Sequence, residues 1–480
     1  MSQPGTRSNP LRVAIVGSGP AGFYAAEHIL KQEAVESCVD VFDRLPTPFG
    51  LVRAGVAPDH PKIKSVIRVY EKTAAREGFR FFGNVEIGRD LTAAELSERY
   101  HAVIYAYGTG TDRRLGIPGE ELPGSHSATD FVAWYNAHPD FAGHEFRLDC
   151  ERVVVIGHGN VAADVARMLA LTRDELELTD TADHAIEALA SSGVREIVVL
   201  GRRGPLQAAF TTPEVRELGE MLDADVIVHP AEVELDAASS AALTEGQVEP
   251  TKRRNHDLFT DFSARRPEGK PRRIVLRFCA SPVEILGSER VEGVVVGRNE
   301  LFRDEGGVIR ARDTGERETI EAGLVLRSIG YLGLGIEGLP FDERRGVIPN
   351  RAGGGFDPAS GEPVPGLYAV GWIKRGPSGV IGTNKKDAGE TVATLLADLE
   401  AGRLPELSAP ASTSEGSEAA QPASIKELLA RRTPEAVSFS GWQSIDAAEQ
   451  ERGRPHGRPR VKFCNVAEMV EAMRAGDPVG

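Results

Sequence analysis

Two adjacent arginines, Arg202 and Arg203, close the run VVLGRRGP at residues 198–205. In a unit that runs strand, glycine turn, helix, strand, the second strand ordinarily ends in a carboxylate that accepts from a ribose 2′-hydroxyl. Two guanidinium groups in that place suit a 2′-phosphate, because charge-assisted hydrogen bonds are worth about 1.5–3 kcal/mol each. The residue types point to NADP rather than NAD. The alternative is a solvated basic loop that follows a strand.

Such an inference needs the element that would hold the rest of the nucleotide, and the sequence supplies it twice. LRVAIVGSGPAGFYAAEHILKQ (11–32) reads as a buried strand, then Gly17, Gly19 and Gly22 in GxGxxG spacing, then a helix. The glycines allow a tight turn, close approach of a pyrophosphate and close helix packing, while the helix N-terminus attracts the anion. The next strand, CVDVFDR, ends in Asp43, placed to accept from a ribose. The same grammar returns in ERVVVIGHGNVAADVARML (151–169), with Gly157, Gly159 and Ala162 in the GxGxxA variant. Its second strand is EIVVLGRR, so the arginines stand at its end. Two units imply two dinucleotides and an α/β fold of two Rossmann-like dinucleotide-binding domains.

The bulk numbers agree with that size. At about 150 residues per domain, 480 residues suggest two to three units. Lys and Arg (56) against Asp and Glu (71) leave −15, which disfavours generic binding to nucleic acid or anionic membranes. The four cysteines, Cys38, Cys150, Cys279 and Cys464, are too scattered for a CxxC redox pair, a zinc knuckle or an iron–sulfur ligand set. Redox chemistry would therefore need a bound cofactor, and no metal site is expected. No apolar run approaches the roughly 20 residues of a membrane span, so no membrane insertion is expected and a cytoplasmic location is.

YHAVIYAYGTGT (100–111) reads as a buried strand ending one nucleotide domain, and loop-rich text follows it. AGLVLRSIGY (322–331) reads as a strand leading back to that domain. The expected boundaries are 1–109 with 325–480 for a discontinuous first domain, and 110–324 for an inserted second one. Residues 408–422 are linker-like, and IKELLARR and VAEMVEAM read as short helices that pack back on the core. Segment 252–273 holds eight Lys or Arg against three acids, either a solvated loop or a docking patch.

Four stretches taken in order, LPTPFGLVRAGVAPDHPKIKSVI, IGHGNVAADVARML, GRRGPLQAAFTTPEVREL and GWIKRGPSGVIGTNKKDA, resemble the adrenodoxin-reductase-type ferredoxin–NADP reductases. The likeness runs from about residue 11 to the C-terminus. It implies FAD in the discontinuous domain, NADP in the inserted one, and a ferredoxin-type iron–sulfur protein as partner, for which the charge of 252–273 marks a candidate docking face. By resemblance, Gly17, Gly19, Ala21, Gly22, Asp43, Leu51 and Ile87 contact FAD. Trp372 with Gly379, Val380 and Ile381 lines the isoalloxazine. Gly157, His158, Gly159, Asn160, Val161, Arg202, Arg203, Glu214 and Gly379 are expected at NADP. Two departures stand out: Asp43 replaces a longer Glu, and His158 replaces an amide residue between the glycines. Gly371–Trp372 stands where many two-dinucleotide flavoproteins carry Gly–Asp, which argues against a thioredoxin-reductase-like enzyme.

The expected activity is ferredoxin–NADP(+) reductase: hydride from NADPH to the flavin N5, then release of single electrons. His60, in APDHP, and Glu217, in TTPEVREL, are the expected hydrogen-bonded pair near the flavin. Thr212 is expected to cap the helix that carries Glu214 and Glu217 three residues apart. Each has a plainer alternative: dipole compensation for the glutamates, a loop-ordering bond for His60, and a core aromatic for Trp372. The rival activities are an NADPH diaphorase or quinone reductase without ferredoxin, and a non-catalytic FAD- and NADP-binding sensor.

Overall fold

The structure, a computed structural model, describes residues 4–407 and 424–476. The linker-like stretch 408–422 lies outside the described residues.

Both predicted nucleotide units are present, each on its own sheet. The first sheet takes β1 (Leu11–Val16), β2 (Ser37–Phe42), β3 (Phe79–Phe82) and β4 (Ala102–Tyr105) from the N-terminal part of the chain. To these it adds β16 (Asn350–Arg351), β17 (Gly354–Phe356) and β18 (Pro363–Ala369). Its order is β16-β17-β18-β4-β1-β2-β3, with β18, β4, β1, β2 and β3 all parallel. A strand buried on both faces reads as a continuous apolar run, as LRVAIV does. One apolar cluster covers each face: Phe23, Phe49, Tyr70 and Leu395 on the helical side, and Val103, Tyr105, Leu96 and Leu428 on the other.

The second sheet is inserted between β4 and β18. It comprises β6 (Ser125–Ser127), β7 (Arg152–Ile156), β8 (Glu196–Leu200), β9 (Ala224–Val228), β10 (Arg272–Arg277) and β14 (Leu324–Arg327), in the order β6-β14-β7-β8-β10-β9. Strand β14 pairs with β7 and β6, so residues 325–327 complete the second sheet and do not begin the return. The return follows at β15 (Tyr331–Leu332), which pairs with β5 (Thr111–Asp112) in a two-stranded clip where the chain leaves and re-enters the first domain.

An antiparallel meander of β11 (Ala280–Leu286), β12 (Gly293–Arg303) and β13 (Ile309–Glu321) packs on the second sheet through Val294, Val296 and Ile285. At the C-terminus, helices span Ile425–Arg432 and Val466–Gly476, with a third at Phe439–Gly453 between them. All three pack on the first domain's cores through Leu428, Trp442, Ile445 and Met469. Among the described residues no helix is long and apolar enough to cross a membrane.

Candidate dinucleotide sites and the cleft between them

Each glycine loop leaves the C-terminal end of a central strand, where strand order reverses and parallel sheets leave a crevice for ligands. Gly17 has φ +108°, and a Cβ there would lie 2.6 Å from the Ala106 backbone beyond β4. At Gly22 a Cβ would lie 2.1 Å from the Gly17 carbonyl oxygen, which fixes the close packing of helix Pro20–Leu30 against the turn. Gly19 differs: its Cβ would meet nothing within 4 Å. Two glycines are demanded by the protein itself, and the third leaves a space that the protein does not fill.

Around that space the expected residues assemble from distant parts of the chain. Gly50 approaches Gly19, and the Phe49 amide donates to the Ser18 carbonyl at 3.0 Å, which puts Leu51 beside the loop. Leu51 and Val380 are 44% and 57% exposed, so both side chains are free to meet a ligand. A Cβ on Gly371 would lie 2.6 Å from that of Ala21, so the turn carrying Trp372 abuts the first loop. Asp43 accepts from the Ser18 amide (2.9 Å), the Ser18 hydroxyl (2.5 Å) and the Leu45 amide (3.0 Å). A carboxylate offers about four lone-pair sites, so one is left for a ribose hydroxyl. Burial raises the Asp43 pKa against the pull of those bonds. The Ile87 side chain packs on the apolar cluster of the far face, while the nearby Val85 amide donates to the Asp43 carbonyl.

The second loop repeats the plan. Gly157 has φ +134°, and a Cβ there would strike the Ser328 carbonyl at 2.1 Å, just past β14. Gly159 is open within 4 Å, Ala162 is fully buried, and helix Asn160–Ala170 follows. Asn160 accepts from the Thr211 amide at 2.8 Å and ties this loop to helix Thr212–Leu218.

The His158 side chain turns away from the glycine loop. Its imidazole turns into the core between Phe210 and Phe278, and its Nε2 lies 3.2 Å from the Val199 carbonyl. Burial pulls its pKa down to about 4, so it packs as a neutral ring. Gly201 makes room for it, since a Cβ there would lie 2.0 Å from the ring nitrogen. Only the main chain of residue 158 is left for the turn. At the end of β8, Arg202 is exposed and Arg203 half-buried, and neither has an ion-pair partner among the described residues. Burial, then the charge of Arg202, lowers the Arg203 pKa. Lys252 is lowered too, by burial first, with Glu249 pulling the other way and Arg203 adding to the shift, so the lysine shares this basic corner.

A polar cluster joins the two domains. His60, 11% exposed, places Nε2 2.7 Å from Glu217 Oε2, and the pair joins the first domain to the second. His60 Nδ1 faces Asp164 Oδ1 at 3.9 Å. Buried Arg167 reaches Asp59, Asp164 and Glu214, and so draws Glu214 into the same cluster. Burial, then the neighbouring Asp164, pushes the Glu214 pKa up to about 7, against the pull of Arg167 and His60. Thr212 does not cap its helix: Thr211 is the N-cap residue, and the Thr212 hydroxyl donates to Asn255 Oδ1 at 2.8 Å. On the other flank, the Tyr331 and Trp372 rings lie 5.3 Å apart. Burial pushes the Tyr331 pKa up to about 12, with Asp164 adding to the shift. A cavity of ≈ 330 Å³ lined by Asp59, His60, Arg167 and Glu217 opens beside the pair.

His60, Glu214 and Glu217 place donor atoms within 4.8 Å of one another, and Arg167 already supplies a positive charge there. Asp59, Asp164 and Arg167 escaped the sequence reading. The DxxR step in the helix after the second glycine loop and the acid beside His60 were the available signals. Segment 252–273 is a helix, Pro250–Ala264, followed by a loop and β10. Its cations divide. Arg272 is buried against the carbonyls of Ala170 and Leu171, Arg273 pairs with Glu196, and Lys270 reaches the Met221 carbonyl. Arg253, Arg254 and Arg266 stay exposed without an ion pair among the described residues.

The unfilled cradles, the lone-pair vacancy on Asp43 and the unpaired arginines all fit a pair of adenine dinucleotides, one phosphorylated. Known proteins agree. Residues 11–199 match the family model described as pyridine nucleotide-disulphide oxidoreductase. The chain is 50% identical to the NADPH-ferredoxin reductase FprA of Mycobacterium leprae, over 95% of this chain and 97% of that one. It is 42% identical to the mitochondrial NADPH:adrenodoxin oxidoreductase of Salvelinus fontinalis, over 98% and 92%. The solved structure of Mycobacterium tuberculosis FprA in complex with NADPH superposes with a TM-score of 0.88 at 48% identity, covering 97% of this chain and 100% of that one. With two dinucleotide folds in this nesting and that identity along nearly its whole length, the chain belongs to the adrenodoxin-reductase-type ferredoxin–NADP reductase family.

Proposed function

We propose that this protein is a FAD-dependent oxidoreductase that carries electrons between NADPH and a ferredoxin-type iron–sulfur protein. The observation that carries the reading is a pair of glycine loops, one per sheet and each open at its middle glycine, in domains joined by the His60–Glu217 contact of 2.7 Å. Bound FAD would supply a carrier that accepts two electrons together and returns them one at a time.

The chain's own residues do the rest. Gly17, Gly19 and Gly22 admit the FAD pyrophosphate to the N-terminus of helix Pro20–Leu30, while Asp43 takes the ribose with its free lone pair. Leu51 and Ile87 flank the adenosine and ribityl path, and Trp372, Gly379, Val380 and Ile381 wall the ring site. Gly157, Gly159, Asn160 and Val161 hold the NADP pyrophosphate; Arg202 and Arg203 take its 2′-phosphate. Glu214 and Gly379 flank the nicotinamide. His60 and Glu217 hold a proton between Nε2 and Oε2 and order the cleft. The exposed cations Arg253, Arg254 and Arg266 offer an acidic ferredoxin a docking face on an otherwise acidic molecule.

Anaerobic titration of the yellow holoprotein with NADPH and NADH in parallel tests the reading. Rapid bleaching by NADPH, and reoxidation by a ferredoxin with steep salt dependence, is the expected result. No bleaching by NADPH would leave a non-catalytic sensor. Salt-insensitive turnover with ferredoxin, equal to that with quinones or dyes, would leave a diaphorase.

A further inference from the structure

Arg167 makes more carboxylate contacts than a structural ion pair requires. Its Nε and Nη2 donate to Asp59 at 2.5 and 3.2 Å, and Nη2 also reaches Asp164 at 2.6 Å. Nη1 reaches Glu214 at 3.2 Å and Glu217 at 3.6 Å. Those acids come from three elements: the first-domain loop that carries His60, Arg167's own helix, and the helix Thr212–Leu218. The Arg167 side chain is 4% exposed. Gathering four carboxylates around one buried cation is a poor route to stability, since burying charge costs more than a single pair returns. The arrangement is better explained by what it holds in place.

We propose that Arg167 is a positioning residue for the nicotinamide: its guanidinium fixes the Glu214 carboxyl and the His60 loop in one register across the domain boundary. The inference rests on the reading of Glu214 as a nicotinamide contact. The fork is needed for this. Two nitrogens bind the loop residue Asp59 while a third faces Glu214, and a single ammonium could not span both directions with fixed geometry. The same charge also governs how Glu214 titrates. Facing Glu214 are Asp164 and Arg167 from helix Asn160–Ala170, Glu217 from its own helix, and His60 from the first-domain loop, with Asp59 bound behind Arg167. Burial and Asp164 favour the protonated acid; Arg167 and His60 favour the carboxylate.

Stopped-flow reduction of the bound flavin by NADPH, followed from pH 5.5 to 9, reads both effects. Arg167→Gln and Arg167→Lys are compared with wild type and with Arg173→Gln, whose exposed pairs with Glu177 and Glu187 lie outside the cleft. The wild type is expected to show an inflection near 7, the value to which Glu214 is pushed. In Arg167→Gln the inflection should move up by about one unit or more, because an opposite charge at this range shifts a carboxyl by that amount. Its limiting reduction rate should fall roughly 10- to 100-fold through misplacement of the nicotinamide. Arg167→Lys keeps the charge and loses the fork, so its inflection should stay near the wild-type value while its rate drops. A pH profile and reduction rate unchanged in both variants, with only a lower melting temperature, would show Arg167 to be purely structural and overturn the proposal. If Arg167→Gln does not fold, Arg167→Lys decides: wild-type rate and NADPH affinity in that variant overturn it, and a reduced rate with an unmoved inflection supports it. Failure of the wild-type flavin to bleach with NADPH would strike the proposed function itself, a separate outcome.

Discussion

Neutralising Arg202 and Arg203 should abolish the preference for the phosphorylated coenzyme without harming use of the plain one. The magnitude follows from how the two differ. Arg203 is half-buried, and its charge is opposed both by burial and by Arg202, so a 2′-phosphate relieves it most. A charge-assisted hydrogen bond there is worth about 1.5–3 kcal/mol. Arg202 is exposed, and solvent screening holds an exposed ion pair to about 0.2–1 kcal/mol. Together they give about 2–4 kcal/mol, or a selectivity of roughly 30- to 1000-fold. Arg203→Gln should therefore remove most of the ratio of kcat/KM for NADPH over NADH, and Arg202→Gln only a small factor. The assay is dye reduction with each coenzyme at fixed ionic strength, because screening alone shifts the ratio. The two losses should not add, since each arginine raises the cost of the other. A double variant that keeps the wild-type ratio refutes the argument. So does an equal fall with both coenzymes, which would mean that the arginines hold the adenosine rather than the phosphate.

Gly17→Ala and Gly19→Ala should separate folding from cofactor binding. The first puts a Cβ 2.6 Å from the Ala106 backbone at φ +108° and should lower the melting temperature of the apoprotein, whereas the second meets nothing and should leave it unchanged while the flavin content of the purified protein falls. Asp180 accepts from Lys64 at 2.6 Å and faces Lys462 at 3.2 Å, and Asp180→Asn should cost about 3–5 kcal/mol at pH 7 by leaving two buried ammonium groups short of a counter-charge. Its pKa is lowered: burial alone would raise it, and the two lysines outweigh that. Its contribution is thus present above the ordinary value of 3.8 and fades as pH falls below it, so urea unfolding of wild type and variant should converge in acid. Charge reversal at Arg253 and Arg254 should slow ferredoxin reduction and flatten its salt dependence while leaving dye reduction intact.

Much of the fold was legible because each glycine loop sits between a continuous apolar strand and a helix, and the second copy repeats the first. The antiparallel meander was not, because β13 (IRARDTGERETIE) is almost wholly exposed and carries no apolar period to read. The return to the first domain was placed a few residues early because LVLR is equally apolar in either sheet, and only its pairing with β7 decides. In the site, His60 and Glu217 were found through local motifs. The orientation of His158 was not, since it depends on the missing Cβ of Gly201, far along the chain but next in space. Arg167 was out of reach for a similar reason: its partners Asp59 and Glu214 lie 108 and 47 residues away. Sequence spacing reports contacts within one element, and this hub spans three.

The ionic contacts at the domain boundary bear on why the two rings can meet at all. An interface inside a chain that relied on apolar area would tolerate sliding, because apolar contact is non-directional. Here the boundary is pinned by directional bonds: Lys64 to Asp180, Arg167 to Asp59, and Arg44 to Asp140 at 2.6 Å. The C-terminal segment adds a strap. Glu449 of helix Phe439–Gly453 takes Arg53 of the first domain, while Arg458 donates to the Thr179 carbonyl and Lys462 faces Asp180 in the second. The arginine forks fix an angle as well as a distance and the lysines fix distances, so their joint satisfaction leaves few relative orientations of the sheets. That is the condition for hydride transfer, in which a donor and an acceptor on different domains must approach to about 3–3.5 Å. The polar boundary gives up some stability and gains a defined gap.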